Sequence, residues 1–126
     1  MLKAITLIGV GGAIGSIARY LITNATEARF APSTFPYGTL LVNITGCFVI
    51  GLIYALSGKL NLSPEWRGFL ATGICGGYTT FSAFSYQSIS LMREGHTVQF
   101  FTYVFTSVFI GLVATLIPIL VVDKLS

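Results

Sequence analysis

The stretch GGYTTFSAF, residues 76–84, interrupts a long apolar segment with two glycines, two threonines and a serine between phenylalanines. Glycine and threonine are weak helix formers, so an uninterrupted buried helix has no reason to concentrate them in one place. The stretch therefore predicts a break in a helix. Non-helical backbone at membrane depth is tolerated only where it is buried in protein or lines a cavity. The break is thus the first candidate for a functional site.

The composition around this break is that of an integral membrane protein. Of 126 residues, 54% are hydrophobic and 9% are charged, and the mean hydropathy is +0.84. A soluble domain carries about 25% charged residues. Four apolar segments, each near the roughly 20 residues that a spanning helix needs, occupy about residues 2–23, 38–56, 66–91 and 98–122. We predict one all-α transmembrane domain over residues 1–126, with four helices and the third broken at mid-membrane.

The distribution of positive charge bears on orientation. Four spans place both termini on one side of the membrane, together with Lys3, Lys59, Arg67 and Lys124. Arg19, Arg29 and Arg93 lie on the other side. Cytoplasmic loops normally carry a clear excess of lysine and arginine, so this near balance predicts insertion in both orientations and an antiparallel, dual-topology homodimer. The scattered basic residues form no patch for a nucleic acid.

The first span contains GVGGAIGS, in which Gly11 and Gly15 are spaced as GxxxG. Small residues four apart allow two helices to approach closely. The alternative, a dinucleotide-binding turn, requires a third glycine where this chain has Ile14. The spacing therefore favours helix packing.

Polar residues at membrane depth are costly and mark candidate sites. Asn43 lies in the second span with Thr39 one turn before it, and the amide can act as an interhelical clasp or as a donor to an ion. In the fourth span polar or small residues recur every four positions and form the stripe Tyr103, Ser107, Gly111 and Thr115. Its hydroxyls can bond backbone carbonyls, or they can donate to an anion.

The acidic residues lie at the predicted ends and loops: Glu27, Glu65, Glu94 and Asp123. One function to consider is that of a small multidrug-type exporter. Such a proton-coupled exporter of cations needs an acid within the membrane, so the positions of these acids disfavour it. A second alternative is a non-transporting membrane assembly subunit that uses its glycines and Asn43 for packing. The single histidine, His96, falls in a short loop, and we predict that the chain is not an enzyme.

The half-helix that resumes after the break offers two features to an ion. Phe81 and Phe84 are three residues apart and share a face, and the edge of an aromatic ring is electropositive. The helix N-terminus adds free N–H groups, while an unwound turn exposes carbonyls that can bind a cation.

In four places the sequence resembles the Fluc/CrcB family of fluoride ion channels. These are GGAIGSIAR (11–19), GTLLVNITG (38–46), TGICGGYTTFSAFS (72–85) and the hydroxyl stripe of the fourth span. The resemblance implies an antiparallel homodimer in the inner membrane, with two fluoride pores and a central structural Na⁺. Its function would be passive export of F⁻ down the electrochemical gradient, which protects the cell from fluoride.

The resemblance also implies a role for individual residues. Asn43, with Thr39 on the same face, donates to fluoride, and the ring edges of Phe81 and Phe84 face the ion. The remaining pore hydroxyls are those of Ser82, Tyr103, Ser107 and Thr115. The backbone carbonyls of Gly76 and Thr79 hold Na⁺. Arg19 either attracts anions to a vestibule near the membrane surface or anchors the structure. The chain departs from the family at Ala83, Gln87 and Gly111, where threonine, glutamate and serine occur.

Overall fold

The structure is a computed structural model that describes residues 1–125, and the regular secondary structure within this range is helical. The helices are α1 (Leu2–Arg29), α2 (Tyr37–Ser57), α3 (Pro64–Arg67), a π-helical segment (Gly68–Cys75), α4 (Gly76–Tyr78), α5 (Phe81–Arg93) and α6 (Thr97–Leu125). The predicted all-α class is confirmed. Three of them, α1, α2 and α6, are long and apolar enough to cross a membrane, which makes the chain an integral membrane protein.

The third predicted span, residues 66–91, is divided as the sequence indicated. Ser63 caps its start by accepting a hydrogen bond from the Trp66 N–H at 3.3 Å, and proline occupies the first turn. The chain then leaves the helical form at Thr79 (ψ 156°) and Thr80 (φ −148°, ψ 113°). We call these two residues the break. The glycines that signalled it, Gly76 and Gly77, remain helical.

Two features of the helices differ from the sequence expectation. The first helix continues to Arg29 rather than ending near Thr23, and within this extension the Thr26 hydroxyl donates to the Ile22 carbonyl at 2.8 Å. The Glu27 carboxylate of this extension accepts from the Gly38 N–H at 3.1 Å and so caps α2. The second difference is the π-helical segment, which the sequence pattern did not indicate.

The helices pack in two groups that meet at α2. The π-helical segment and α4 lie on α1, and α6 packs along α2 and against α5. Gly11 and Gly15 are buried, and a Cβ on Gly11 would lie 2.6 Å from the Phe69 carbonyl oxygen. The predicted close packing at the GxxxG pair is therefore confirmed within one chain. Val42 of α2 and Tyr103 of α6 are fully buried.

A cleft at the break of the third helical segment

A cleft of 320 Å³ opens at the break, between α2, the π-helical segment with α4, α5 and α6. Six residues predicted for the site from the sequence line it: Asn43, Gly76, Thr79, Phe81, Phe84 and Ser107. We call this space the central cleft. The lining comes from α2, α6 and the consecutive elements on either side of the break, so the fold gathers the predicted site from three separate parts of the sequence.

Asn43 fastens α2 to the break through both ends of its amide. Its Nδ2 donates to the Thr80 carbonyl at 3.2 Å, and its Oδ1 accepts from the Thr80 N–H at 2.8 Å. These bonds satisfy two backbone groups that lie outside any helix, which would otherwise be costly to bury. Asn43 therefore acts as a clasp and also lines the central cleft.

The aromatic residues form a chain of ring contacts that leads away from the cleft. The ring centroids of Phe81 and Phe84 lie 5.7 Å apart, and those of Phe84 and Tyr103 lie 5.2 Å apart. Phe81 is 79% exposed, whereas Tyr103 is fully buried. The Tyr103 hydroxyl donates to Gln87 Oε1 at 3.1 Å, so the departure at Gln87 supplies a neutral acceptor for this phenol.

The hydroxyls of the α6 stripe have different partners. The single proton of the Thr115 hydroxyl is shared between the carbonyls of Cys47 and Gly111, each 3.1 Å from Oγ1, and the Cys47 contact ties α6 to α2. The Ser107 hydroxyl is buried and has no hydrogen-bond partner within residues 1–125. A buried hydroxyl without a partner is costly, and Ser107 lines the central cleft. Of the stripe, Ser107 is the hydroxyl best placed to bind a ligand there.

The break also releases backbone carbonyls from the helical hydrogen-bond pattern. In a continuous helix the Gly76 carbonyl would accept from the Thr80 N–H, but that group donates to Asn43. The Thr79 carbonyl would accept from the Ala83 N–H, which instead donates to the Thr80 hydroxyl at 3.1 Å. Carbonyl oxygens of unwound turns are suitable Na⁺ ligands, so these two residues fit the cation that the resemblance implies.

The remaining predicted residues lie near the cleft without lining it. Thr39 is buried on α2, one turn before Asn43. Ser82 is exposed, with its hydroxyl 3.3 Å from that of Thr80. Arg19 Nε donates to the Gly77 carbonyl at 3.2 Å, so this arginine contacts the end of α4.

Thr80 was missed as a site residue, although it is central to the geometry. Its backbone pairs with Asn43 and its side chain caps α5 by accepting from Ala83. The sequence carried a signal for this cap, since threonine directly before a helical run is a favoured N-cap. The partnership with Asn43 had no such signal, because it joins residues 37 positions apart.

Comparison with known proteins identifies related chains. The profile of the family described as "CrcB-like protein, Camphor Resistance (CrcB)" matches residues 6–119. Curated relatives include proteins named "Fluoride-specific ion channel FluC". The relative from Flavobacterium psychrophilum is 43% identical over 125 residues, which cover 98% of this chain and 100% of the relative. The relative from Rhizobium meliloti is 47% identical over 111 residues, which cover 87% of this chain and 88% of the relative.

Proposed function

The chain belongs to the CrcB-like family, and on this premise we propose that it is a fluoride-selective channel. Fluoride leaves the cell passively through it, down the electrochemical gradient, and the cell is thereby protected from fluoride toxicity. The curated relatives are named as ion channels, which confirms that the chain is not an enzyme.

The observation that carries this proposal is the lining of the central cleft. Fluoride is small and strongly hydrated, so a selective path has to replace its water with closely spaced donors. The cleft offers the Asn43 amide, the unpartnered Ser107 hydroxyl and the rings of Phe81 and Phe84. These groups supply partial positive charge, whereas a full positive charge would hold the anion too tightly for conduction. Thr39, Ser82, Tyr103 and Thr115 continue the path in this proposal.

We further propose that two chains assemble as an antiparallel homodimer with two pores, each lined by both subunits. The exposure of Phe81 supports this assembly, because a phenylalanine that is 79% exposed at the mouth of the cleft leaves one wall open. A second chain would close that wall. In this arrangement α3 to α5 complete the fourth span, and the carbonyls of Gly76 and Thr79 from both chains hold the central Na⁺. Arg19, bonded at the end of α4, anchors the structure beside this site.

The proposed location is the inner membrane, with lipid against the outer faces of the helices. Large apolar side chains are exposed on α1, α2 and α6, among them Ile17, Val49 and Phe109. Cells with a negative interior drive an anion outward, so a passive path in this membrane suffices for export.

The test is ion efflux from liposomes that contain the purified protein and are loaded with fluoride, with potassium clamped by valinomycin. Chloride-loaded liposomes are the control. We expect rapid loss of fluoride and retention of chloride. Loss of neither ion from folded protein would contradict the channel proposal and favour an assembly subunit.

Two substitutions connect the flux to the cleft. Phe81→Ile and Asn43→Ala are expected to reduce fluoride efflux strongly in variants that remain folded dimers. Phe109→Ile is a matched control, since Phe109 is 66% exposed on α6 and does not line the cleft. Wild-type efflux from the Phe81 and Asn43 variants would show that the ion takes another route.

A further inference from the structure

The two halves of the third helical segment rest on different helices. The upstream half lies on α1: a Cβ on Gly77 would stand 2.5 Å from the Gly12 carbonyl oxygen, and a Cβ on Gly15 would collide with the Ile74 carbonyl. The downstream half, α5, packs mainly against α6, where Phe84 meets the Tyr103 ring. The extended residues of the break therefore join two bodies that could shift relative to one another.

Helix α2 holds the break and the residue before it through side chains. Within the break it holds Thr80 through Asn43. Upstream it holds Tyr78, the last residue of α4, whose hydroxyl lies 2.9 Å from Thr45 Oγ1. The Tyr78 ring also covers Gly46, with Cδ2 at 3.2 Å from the position of a Cβ there. The same helix, α2, thus holds both the break and the residue that precedes it.

Thr45 has hydrogen-bond partners besides Tyr78. The Thr45 hydroxyl is within donating distance of two carbonyls of its own helix, that of Leu41 at 2.8 Å and that of Val42 at 3.1 Å. A hydroxyl donates one proton and accepts others, so Thr45 can bond a carbonyl of its own helix and the Tyr78 hydroxyl together, and either hydroxyl can be the donor in the Tyr78–Thr45 pair. The tyrosine hydroxyl is thereby satisfied, and its position is fixed relative to the rigid backbone of α2.

We propose that the Tyr78–Thr45 pair positions the break and so contributes to the selectivity for fluoride over chloride. This inference rests on the proposed channel function. Tyr78 directly precedes Thr79, and Phe81 comes two residues after Thr79. A shift of Tyr78 therefore moves the Thr79 carbonyl and the Phe81 ring. Without the pair, Asn43 supplies the hydrogen bonds that remain between α2 and the break in the described chain, while Thr79 still packs on Gly46 and the upstream half still rests on α1. The break is then held less firmly. A looser cleft accepts the larger chloride ion more readily.

The test uses Tyr78→Phe and Thr45→Val, which remove the hydrogen bond and nearly preserve volume. Loss of one neutral hydrogen bond corresponds to about a five-fold change. We expect each variant to lower the ratio of fluoride to chloride efflux by about five-fold, and the double variant to do no more. The controls are Thr6→Val, since the Thr6 hydroxyl donates to Leu2 within α1, and Tyr20→Phe, since Tyr20 is 65% exposed.

A second readout does not depend on fluoride. The Thr80 N–H is protected by Asn43, so its hydrogen exchange reports opening of the break. We expect exchange at Thr80 to be about five-fold faster in both variants and unchanged in the controls. Unchanged exchange and an unchanged efflux ratio would overturn the proposal, as would independent, multiplying effects in the double variant. Faster exchange with an unchanged ratio would overturn the link to selectivity.

Wild-type protein without fluoride efflux would instead contradict the channel function, and the exchange measurement would still decide whether the pair fixes the break.

Discussion

Replacing Gly77 with alanine perturbs the closest backbone approach between α4 and α1. The added Cβ would lie 2.5 Å from the Gly12 carbonyl oxygen, whereas ordinary contacts begin at 3.4 Å, so α1 would have to withdraw by about 0.9 Å. Both groups that collide belong to the backbone or to Cβ, so no side chain can rotate away. Overpacking of this kind costs about 3 kcal/mol at the upper end of its range.

Alanine recovers part of this cost, because it is a better helix former than glycine by about 1 kcal/mol. The expected net loss in the free energy of unfolding is therefore about 2 kcal/mol. Gly9→Ala is the matched control: Gly9 is exposed on α1 and a Cβ there meets nothing within 4 Å. Its free energy of unfolding should rise by about 1 kcal/mol, because alanine is the better helix former and meets no clash there.

The assay is unfolding in mixed micelles, followed by the fluorescence of the single tryptophan, Trp66. Protein concentration is held fixed, since association changes apparent stability. Gly77→Ala should also lower fluoride efflux, because a displacement of α4 also displaces the break, which begins two residues after Gly77. An unfolding free energy for Gly77→Ala equal to that of Gly9→Ala, or above it, would refute the assigned packing.

Three further substitutions separate stability from conduction. Ser107→Ala removes a hydroxyl that has no partner in the described chain, so fluoride efflux should fall about five-fold while the midpoint of unfolding stays equal or rises. Thr115→Val should lower the free energy of unfolding by about 1 kcal/mol, measured in the same micelles, because its bond to the Cys47 carbonyl is lost. Tyr103→Phe should cost a similar amount, since the part-buried bond to Gln87 is lost. An unchanged unfolding midpoint for Thr115→Val or Tyr103→Phe would contradict these assignments.

The position of the break shows what local sequence can and cannot determine. The run of glycines and threonines predicted that the third segment would be interrupted, and it is. The interruption falls at Thr79–Thr80 rather than at the glycines, because Gly77 is needed for contact with Gly12 while still helical. A glycine read alone indicates flexibility, and only the packed neighbour shows that it serves close approach.

The π-helical segment had no signal in the sequence for a related reason. Residues 68–75 read as an ordinary apolar helix, and their backbone is fitted to α1, where Gly73 lies against Ile8 and Gly11. Wide helical turns of this kind are rare and are often found near functional sites. Their occurrence depends on the partner surface, which a residue pattern of period 3.6 does not describe. The apolar spans were predictable because burial in lipid imposes length and composition on each helix separately.

Asn43 shows how two roles that the sequence left open can be combined in one side chain. The amide carries two N–H groups and one carbonyl oxygen. Thr80 takes the oxygen and one N–H, which fixes the plane of the amide and therefore the direction of the second N–H. Because Asn43 also lines the central cleft, the clasp would hold this N–H in place for the ion of the proposed channel. A donor held in this way requires little reorganisation on binding, so the structural role of Asn43 supports the proposed role in conduction rather than competing with it.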